Sequence, residues 1–353
     1  MNIGIVNNLY PPYGRNSGAE IVAHKMAEEL QRDGNEVFII TTKTPADNRR
    51  DKNNIYYLDS RYEYLSSYGN LRKIFWHLAQ LAYPCHHRRL KEIIEERKPD
   101  LVITHNLIGI GFHLPRLLAK RRIKHEHILY DIQLLHPSGL MYWGQEKIID
   151  SLVARCYQIG TRWSLKKARR IVSPSRWLLS LHQEKGFFKN QESLVRANFQ
   201  LKRQKTKILN RPVVFSFIGQ AEKHKGLSIL LEAWEKTGFK ANEAKLNIAG
   251  KGSLSSRLEK ESAGRQDIAY LNNLDREGVE KLLAATDVVV VPSLVYENSP
   301  TSLWEAAERG LRAIASNLGG TPELAPYLNL DLVPPGDTGA LANAIKKIIT
   351  DIK

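Results

Sequence analysis

Short apolar runs alternate with amphipathic segments along the whole chain, and this alternation constrains the fold more than any other feature of the sequence. The first apolar run is Ile3–Asn7, and a helix with apolar residues on one face is predicted over Gly18–Arg32. A further helix is predicted over Leu114–Lys120 and a further strand over His127–Tyr130. Apolar strands that alternate with helices are typical of a parallel sheet covered on both faces. The pattern therefore predicts an α/β fold.

The same pattern starts again in the second half of the chain. Strands are predicted at Val213–Gly219 and Asp287–Val291, the second of which contains four consecutive valines. A length of 353 residues suits two domains of roughly 150 residues each. We therefore predict a first α/β domain over 1–200, a polar and basic linker over 201–211, and a second α/β domain over 212–353.

The net charge is unevenly distributed. The chain has 52 lysines and arginines against 37 aspartates and glutamates, which gives +15. Residues 1–211 hold 36 basic and 19 acidic side chains, a net charge of +17, whereas residues 212–353 have a net charge of −2. A positive field of this size favours an anionic partner, whether nucleic acid, anionic lipid or a phosphorylated substrate.

The remaining composition excludes several classes of protein. A 42% hydrophobic and 25% charged chain is globular, not disordered, collagen-like or a coiled coil. Its two cysteines, Cys85 and Cys156, are too few for a disulfide framework and suit a reducing cytosol. No apolar run approaches the roughly 20 residues of a membrane-spanning helix, and the first residues predict a strand, not a signal peptide. We expect any membrane contact to be peripheral.

The strongest candidate site follows the valine strand, between Glu297 and Glu305. Ser299 is a good N-cap residue and Pro300 suits the first helical position, so a helix should begin here. Its amides and positive dipole end suit a phosphate, and the two glutamates can accept hydrogen bonds from sugar hydroxyls. The alternative is a capped surface helix with two solvated glutamates.

Weaker signals lie at other predicted strand ends. Gly219–Gly226 and Gly250–Gly252 are glycine loops with lysines that could neutralise a phosphate, although glycine is common in any strand–helix turn. In the first half, Gly18 opens a helix, and His105 and Asp131 follow strands. A single histidine is more often structural than functional. No metal-ligand spacing and no serine nucleophile elbow are present in the sequence.

Basic groups occur beside apolar residues in the first half. They include Lys120–Lys124 and Lys166–Arg170, with apolar neighbours at Phe75–Leu78 and Leu114–Leu118. A basic helix with an apolar face suits an anionic membrane surface, and a solvated basic face is the alternative. No nucleic-acid reader motif accompanies the charge, so nucleic acid is not expected as a partner.

Taken together, these motifs resemble the retaining GT-B glycosyltransferases of family 4. Ser17–Glu20 resembles the family's Gly-Gly-Ala-Glu, and Thr104–Asn106 resembles its strand-end histidine motif. Ile171–Ser175 and Asn198 are similar to its serine and asparagine landmarks. Glu297 and Glu305 match its E-x7-E signature, and Gly319–Glu323 resembles the Gly-Gly-x-Pro-Glu that follows. The resemblance implies a GT-B architecture, with two Rossmann-like parallel-sheet domains that face a central cleft.

The resemblance also implies roles for individual residues. Glu305 would hold the nucleotide ribose, Glu297 and His105 would contact the donor sugar, and Lys225 would neutralise the diphosphate. His105, Glu297 and Lys225 are thus the predicted catalytic residues. Donor binding is further implied for residues in or near the phosphate loops and the E-x7-E segment: Gly18, Gln220, Gly250, Lys251, Asn298, Ser299, Pro300, Thr301, Ser302 and Leu303. Asp131, Tyr142 and Trp143, on the segment 135–163 or just before it, are the predicted acceptor residues.

The implied activity is that of a hexosyl- or N-acetylhexosaminyltransferase. It would transfer a sugar from a UDP- or GDP-sugar, without a metal, to a lipid-linked or cell-surface glycan. We expect a cytoplasmic protein on the inner face of the membrane. In members of the family the acceptor is thought to attack on the leaving-group face of the donor sugar, which retains the configuration. An oxygen of the departing phosphate is thought to take the proton of the acceptor.

Three features depart from the family pattern. The position after the first glycine of the phosphate loop is Gln220 where arginine is usual, so Lys223 or Lys251 would have to supply the missing charge. Tyr130 precedes Asp131 where many relatives have histidine. The chain ends at Lys353, which suggests a shortened closing helix. A catalytically silent GT-B partner or scaffold protein and a sugar-nucleotide epimerase are therefore kept as alternatives.

Overall fold

The computed structural model describes residues 1–11, 18–52, 54–84, 86–197 and 204–352. Ser17, Cys85, Asn198 and the linker residues 201–203, all named in the sequence predictions, lie outside the described residues. The chain divides into two compact units. The first unit is Met1–Leu140 with Lys147–Asn198, and the second unit is Met141–Glu146 with Phe199–Lys353.

Within its described residues, the first unit contains seven strands. They are β1 (Asn2–Val6), β2 (Glu36–Lys43), β3 (Ile55–Asp59), β4 (Leu101–Thr104), β5 (Lys124–Ile128), β6 (Arg170–Ser173) and β7 (Glu192–Val195). They form one parallel sheet in the order β3-β2-β1-β4-β5-β6-β7. The order reverses between β1 and β4, and such a switch point is where open α/β sheets bind ligands.

Helices of the first unit cover this sheet. They are α1 (Gly18–Arg32), α2 (Asn70–Ala82), α3 (His87–Arg97), α4 (Leu114–Lys120), α5 (Leu152–Leu165) and α6 (Arg176–Glu184). Apolar side chains from four neighbouring strands form part of the core: Ile3, Ile103, Ile128 and Val172. Burying such side chains stabilises the unit by roughly 1.5–3 kcal/mol each.

The second unit repeats the architecture. Its strands are β8 (Val213–Ile218), β9 (Ala244–Ala249), β10 (Ile268–Tyr270), β11 (Val288–Val291), β12 (Arg312–Ser316) and β13 (Asn329–Val333). Its helices are α7 (Leu227–Thr237), α8 (Ser255–Ser262), α9 (Arg276–Ala285), α10 (Thr301–Glu308) and α11 (Thr338–Thr350). The parallel sheet has the order β10-β9-β8-β11-β12-β13, so its switch point lies between β8 and β11.

The core of the second unit is built around large apolar side chains. Phe215 of β8 and Trp234 of α7 are buried, with ring centroids 5.5 Å apart at 71°. The Trp234 ring also donates a hydrogen bond from Nε1 to Asp267 Oδ2 at 2.9 Å, so its polar atom is satisfied. The four valines of β11 are buried as well, as the sequence predicts.

Candidate active site

Two loops of the second unit meet at the switch point of its sheet. The loop after β8 begins at Gly219, and the segment after β11 begins at Pro292. The two strands are neighbours in parallel register, with Val288 opposite Phe215. Their carboxyl ends therefore bring the glycine loop and the E-x7-E segment together, although the sequence separates them by some 70 residues.

Glu297 and Lys225 form the central contact between these loops. Lys225 Nζ donates to Glu297 Oε1 at 2.6 Å, and Ser293 Oγ donates to the same oxygen at 2.9 Å. Burial raises the pKa of Glu297, but the charge of Lys225 and the two hydrogen bonds outweigh it, so the pKa lies below its ordinary value. Glu297 is thus an ionised acceptor, suited to hold hydroxyl groups but not to donate a proton.

The backbone of Glu297 is held by the glycine pair of the Gly-Gly-x-Pro-Glu motif. The amide of Gly320 donates to the carbonyl oxygen of Glu297 at 2.8 Å. A Cβ atom on Gly319, whose φ is +65°, would lie 2.3 Å from that oxygen. The sequence offers no physical reason for the two glycines of this motif. The structure provides one, because both glycines contact the carbonyl group of Glu297 and fix its backbone conformation.

The glycine loops pack backbone against backbone. Gly226 has a φ of +76°, and a Cβ atom there would lie 1.8 Å from the carbonyl oxygen of Pro292. Gly250 has a φ of +136°, and a Cβ atom there would lie 1.7 Å from the carbonyl oxygen of Gly219. These contacts leave room only for glycine, and they hold Lys225 against the segment that carries Glu297.

The side chains of Gln220 and Lys251 are exposed on neighbouring loops. The two loops are joined by a hydrogen bond from the amide of Ala221 to the carbonyl oxygen of Lys251 at 3.1 Å. Lys251 therefore lies one loop away from the position where relatives have arginine. This placement agrees with the expectation that Lys251 supplies charge that Gln220 lacks, and its role stays a prediction.

Glu305 lies on α10 and forms an ion pair. Its side chain is 11% exposed, and Arg276 Nη1 of α9 donates to Oε1 at 2.6 Å. Three predicted donor-binding residues of the same segment, Asn298, Ser302 and Leu303, are also buried. Glu305 is therefore a carboxylate that is almost buried and ion-paired. This differs from the alternative interpretation, in which both glutamates are solvated.

The predicted start of this helix was wrong by one residue. The helix begins at Thr301 with Pro300 as its N-cap, and Ser299 makes no cap bond. The reason is that Ser299 Oγ accepts a hydrogen bond from Trp304 Nε1 at 2.6 Å. The amide of Leu303 donates to the Pro300 carbonyl oxygen, whereas the first amides of a helix, here those of Thr301 and Ser302, have no partner within it.

Tyr142 and Trp143, predicted as acceptor residues of the first domain, belong to the second unit. Tyr142 pairs with Val295 in an antiparallel bridge, and the amide of Trp143 donates to the Leu294 carbonyl oxygen at 3.0 Å. Tyr296 returns two bonds, from its amide to the Met141 carbonyl oxygen at 2.9 Å and from its hydroxyl to Glu146 Oε1 at 2.8 Å. The segment 141–146 therefore lies directly beside the residues that lead into Glu297.

In the first unit, His105 lies at the switch point, immediately after β4. The ring is 2% exposed, and its Nδ1 lies 2.8 Å from the hydroxyl oxygen of Tyr130. Burial lowers the pKa of His105 to about 3, so the ring is neutral at pH 7. Gly18, the first residue of α1, follows the neighbouring strand β1.

A small cavity of about 40 Å³ lies at the same place in the first unit. The residues that line it include Ala19, His105, Tyr130, Asp131 and Gln133. Asp131 Oδ1 accepts a hydrogen bond from the Gln133 amide at 2.7 Å. Burial raises the pKa of Asp131 to about 7 in spite of that bond, so this carboxyl can hold a proton near neutrality.

Two kinds of feature are absent from the described residues. They contain no group of three or more His, Cys, Asp or Glu side chains placed to hold a metal ion. They also contain no helix long and apolar enough to cross a membrane.

Comparison with known families gives two matches that together span most of the chain. Residues 16–192 match the model described as Glycosyltransferase Family 4. Residues 212–351 match the model described as Glycosyl transferases group 1.

Individual relatives agree with these matches. The chain is 27% identical over 343 residues to an uncharacterized 42.6 kDa protein in the cps region of Klebsiella pneumoniae, which covers 93% of this chain and 88% of the relative. It is also 32% identical over 144 residues to the D-rhamnosyltransferase WbpZ of Pseudomonas aeruginosa. This alignment covers 38% of this chain and 35% of the relative. The solved structure of Anabaena HepE in complex with UDP and glucose has a similar fold, with a TM-score of 0.67, 16% identity, and coverage of 99% and 90%.

Proposed function

The chain belongs to glycosyltransferase family 4, and from this premise we propose that it transfers a sugar from a nucleoside diphosphate sugar with retention of configuration. It is a GT-B glycosyltransferase, which leaves the donor, the acceptor and the stereochemistry to be assigned. We assign UDP-sugars as the first donors to test, because a neighbour of the same fold carries UDP and glucose. The proposed acceptor is a lipid-linked or cell-surface glycan.

The contact between Lys225 and Glu297 at the switch point of the second sheet carries this proposal. A diphosphate leaving group develops negative charge as the glycosidic bond breaks, and a fixed ammonium group stabilises that charge. The ionised Glu297 accepts hydrogen bonds from hydroxyls of the sugar and sets its orientation. The first amides of α10 lie at the positive end of its helix dipole, and this end of a helix also suits an anionic group.

The charge state of Glu297 agrees with a mechanism in which it is not the general acid or base. Its lowered pKa leaves it without a proton at neutral pH. The acceptor's proton would then pass to an oxygen of the departing phosphate, as the family resemblance implies. We propose that the reaction needs no divalent metal, since Lys225 and the amides supply the positive potential.

We also propose that the first unit binds the surface of an anionic membrane. Leu71 and Phe75 of α2 are 74% and 71% exposed, and Leu152 and Trp163 of α5 are exposed as well. The two helices pack together. The apolar residues predicted at Leu114–Leu118 do not contribute, because Leu114, Leu117 and Leu118 are buried.

The charge beside these apolar side chains determines the partner. Lys166 and Lys167, immediately after α5, are exposed, and so is Arg72 on α2. Exposed apolar rings flanked by lysine and arginine suit the headgroup layer of anionic lipids, where each basic residue contributes about 1 kcal/mol. This surface would place the enzyme beside a lipid-linked acceptor.

Vesicle flotation tests the membrane proposal. The wild type should float with vesicles that contain phosphatidylglycerol and not with pure phosphatidylcholine. The double variant Leu71→Ser/Phe75→Ser should bind the anionic vesicles about 30-fold more weakly, since each of the two side chains loses roughly 1 kcal/mol of apolar burial. Ile208→Ser, a change at an exposed residue of the second unit, is the control. Equal flotation of all three proteins would refute this surface.

The activity itself is tested by a screen of nucleotide sugars with acceptors extracted from membranes, followed by mass spectrometry. We expect one sugar mass to be added to an acceptor, with release of one nucleoside diphosphate per transfer. Binding of a nucleotide sugar without turnover would favour the scaffold protein, and conversion of the free nucleotide sugar would favour the epimerase. A protein that neither binds nor turns over any member of the panel would contradict the proposal.

A further inference from the structure

His105, which is buried, and Tyr130, which is half-buried, form a pair in the first unit. The hydroxyl oxygen of Tyr130 lies 2.8 Å from Nδ1 of His105, and the two rings stack at 20° with centroids 5.4 Å apart. The other ring nitrogen of His105, Nε2, is buried and has no hydrogen-bond partner among the described residues. Such an atom is costly unless a ligand or water satisfies it.

The direction of the hydrogen bond follows from the number of groups that each tautomer leaves unpaired. If Nδ1 carried the hydrogen, it would donate to the Tyr130 oxygen, and both the tyrosine hydrogen and the Nε2 lone pair would lack a partner among the described residues. If Nε2 carries the hydrogen, Tyr130 donates to Nδ1 and only the Nε2–H group is unpaired. The second tautomer leaves one polar group without a partner among the described residues instead of two, and we infer that it is the more stable.

We propose that Tyr130 is a positioning residue that holds His105 as the Nε2–H tautomer, so that Nε2–H donates to a hydroxyl oxygen of the sugar substrate. This inference rests on the proposed function and deepens it. It assigns a task to the tyrosine that stands where many relatives have histidine. It also fixes the chemical polarity of the contact, because His105 is then a donor and the ligand atom must accept.

The size and lining of the cavity support a hydroxyl group as the ligand. A volume of about 40 Å³ exceeds the roughly 10–15 Å³ that one water molecule needs, so a hydroxyl group fits. A hydroxyl can accept from His105 Nε2–H while it gives its own hydrogen to another lining group, and Asp131 offers carboxylate oxygens.

A phosphate is a poor fit to the same cavity. Burial keeps His105 neutral, and the Asp131 carboxyl adds negative charge whenever it ionises. Neither group carries a positive charge, and the positive charge that acts on the cavity lining is that of Arg196, near Tyr130. The cavity of the first unit is thus suited to a neutral sugar hydroxyl, in contrast to the ion pair of Lys225 in the second unit.

The test is the tautomer of His105, measured by NMR on protein labelled with ¹⁵N in its histidines. Nitrogen chemical shifts distinguish a ring nitrogen that carries hydrogen from one that does not, and the spectrum of His105→Asn identifies the His105 signals. The wild type should show His105 as Nε2–H alone. Tyr130→Phe should show a mixture of tautomers, and its kcat for transfer should fall about tenfold, the effect of one lost hydrogen bond. Its Kd for UDP should stay within twofold.

Tyr130→His is the rescue variant, since a histidine N–H can donate to Nδ1 in place of the hydroxyl. It should restore the single tautomer and most of the kcat. A wild type with hydrogen on Nδ1, or a Tyr130→Phe protein that keeps pure Nε2–H, would overturn the proposal. The first of these outcomes needs no variant, so it holds even if Tyr130→Phe does not fold. The tautomer is read without substrate, so its failure is distinct from a failure to find any sugar transfer.

Discussion

Glu297→Gln is expected to lower kcat/KM for sugar transfer about 100-fold, a loss near 2.7 kcal/mol of transition-state stabilisation. The substitution keeps the shape of the side chain and removes its charge. An amide accepts hydrogen bonds from sugar hydroxyls less strongly than a carboxylate, and Lys225 loses the anion that holds it at 2.6 Å. The affinity for UDP should change less than the turnover, because the lost contacts belong to the sugar.

Glu277→Gln is the matched control for this substitution. Glu277 lies on α9 of the same unit, is exposed, and forms an ion pair with Lys281. Steady-state kinetics of the two variants, with calorimetric binding of UDP, separates a site effect from a general effect of glutamine. Equal kcat/KM values for Glu297→Gln and the wild type would refute the role of Glu297.

Lys225→Gln is expected to weaken UDP binding about tenfold and to lower kcat/KM about 100-fold. Two unit charges about 4 Å apart interact by about 4 kcal/mol at an effective dielectric constant of 20, and solvent and the neighbouring amides reduce that value. The larger effect on turnover follows because the diphosphate gains charge as the bond breaks. Lys236→Gln, on an exposed residue of α7, is the control.

The same variant has a distinct pH signature. In the wild type the charge of Lys225 opposes the burial of Glu297 and lowers its pKa. Without Lys225 the burial acts with less opposition, and the pKa of Glu297 should rise. The residual activity of Lys225→Gln should therefore increase with pH over a range in which the wild type shows no such limb. A variant with unchanged UDP affinity and unchanged pH profile would contradict the assignment.

The sequence predicted much of the fold because buried parallel strands are apolar. The helices Gly18–Arg32 and Leu114–Lys120 agree with the structure at both ends, and the valine strand is buried. The strand predicted at His127–Tyr130 exists but its bounds were wrong, since β5 is Lys124–Ile128 and shares only His127 and Ile128 with the prediction. The start of β5 was missed because it contains polar residues, which do not produce the apolar pattern of a buried strand. Two of them, His125 and His127, are nevertheless buried, and each lies 2.8 Å from the hydroxyl oxygen of Thr104.

The candidate site was predicted one strand end at a time. The sequence identified both the Lys225 loop and the Glu297 segment, but only the strand order shows that β8 and β11 are neighbours. The bond between the two side chains could not be read from local spacing. Strand order is set by long-range packing, which leaves no trace in a window of ten or fifteen residues.

Tyr142 and Trp143 show a different limit. Their place in the chain assigned them to the first domain, whereas they pair with residues 294–296 of the second unit. This segment has no helical or strand period, and its antiparallel bridge depends on a partner some 150 residues away. The segment lies beside the residues that precede Glu297, and the acceptor role of Tyr142 and Trp143 stays a prediction.

Titration calorimetry of UDP and GDP into the wild type and Lys225→Gln tests the central claim most directly, namely that the second unit is the donor site of a glycosyltransferase. We expect at least one nucleoside diphosphate to bind the wild type with a Kd in the range of about 1 μM to 1 mM, typical of enzyme substrates. Lys225→Gln should bind it about tenfold more weakly. A folded wild type that gives no binding heat with either nucleotide, or a Lys225→Gln protein that binds as tightly as the wild type, would contradict the claim.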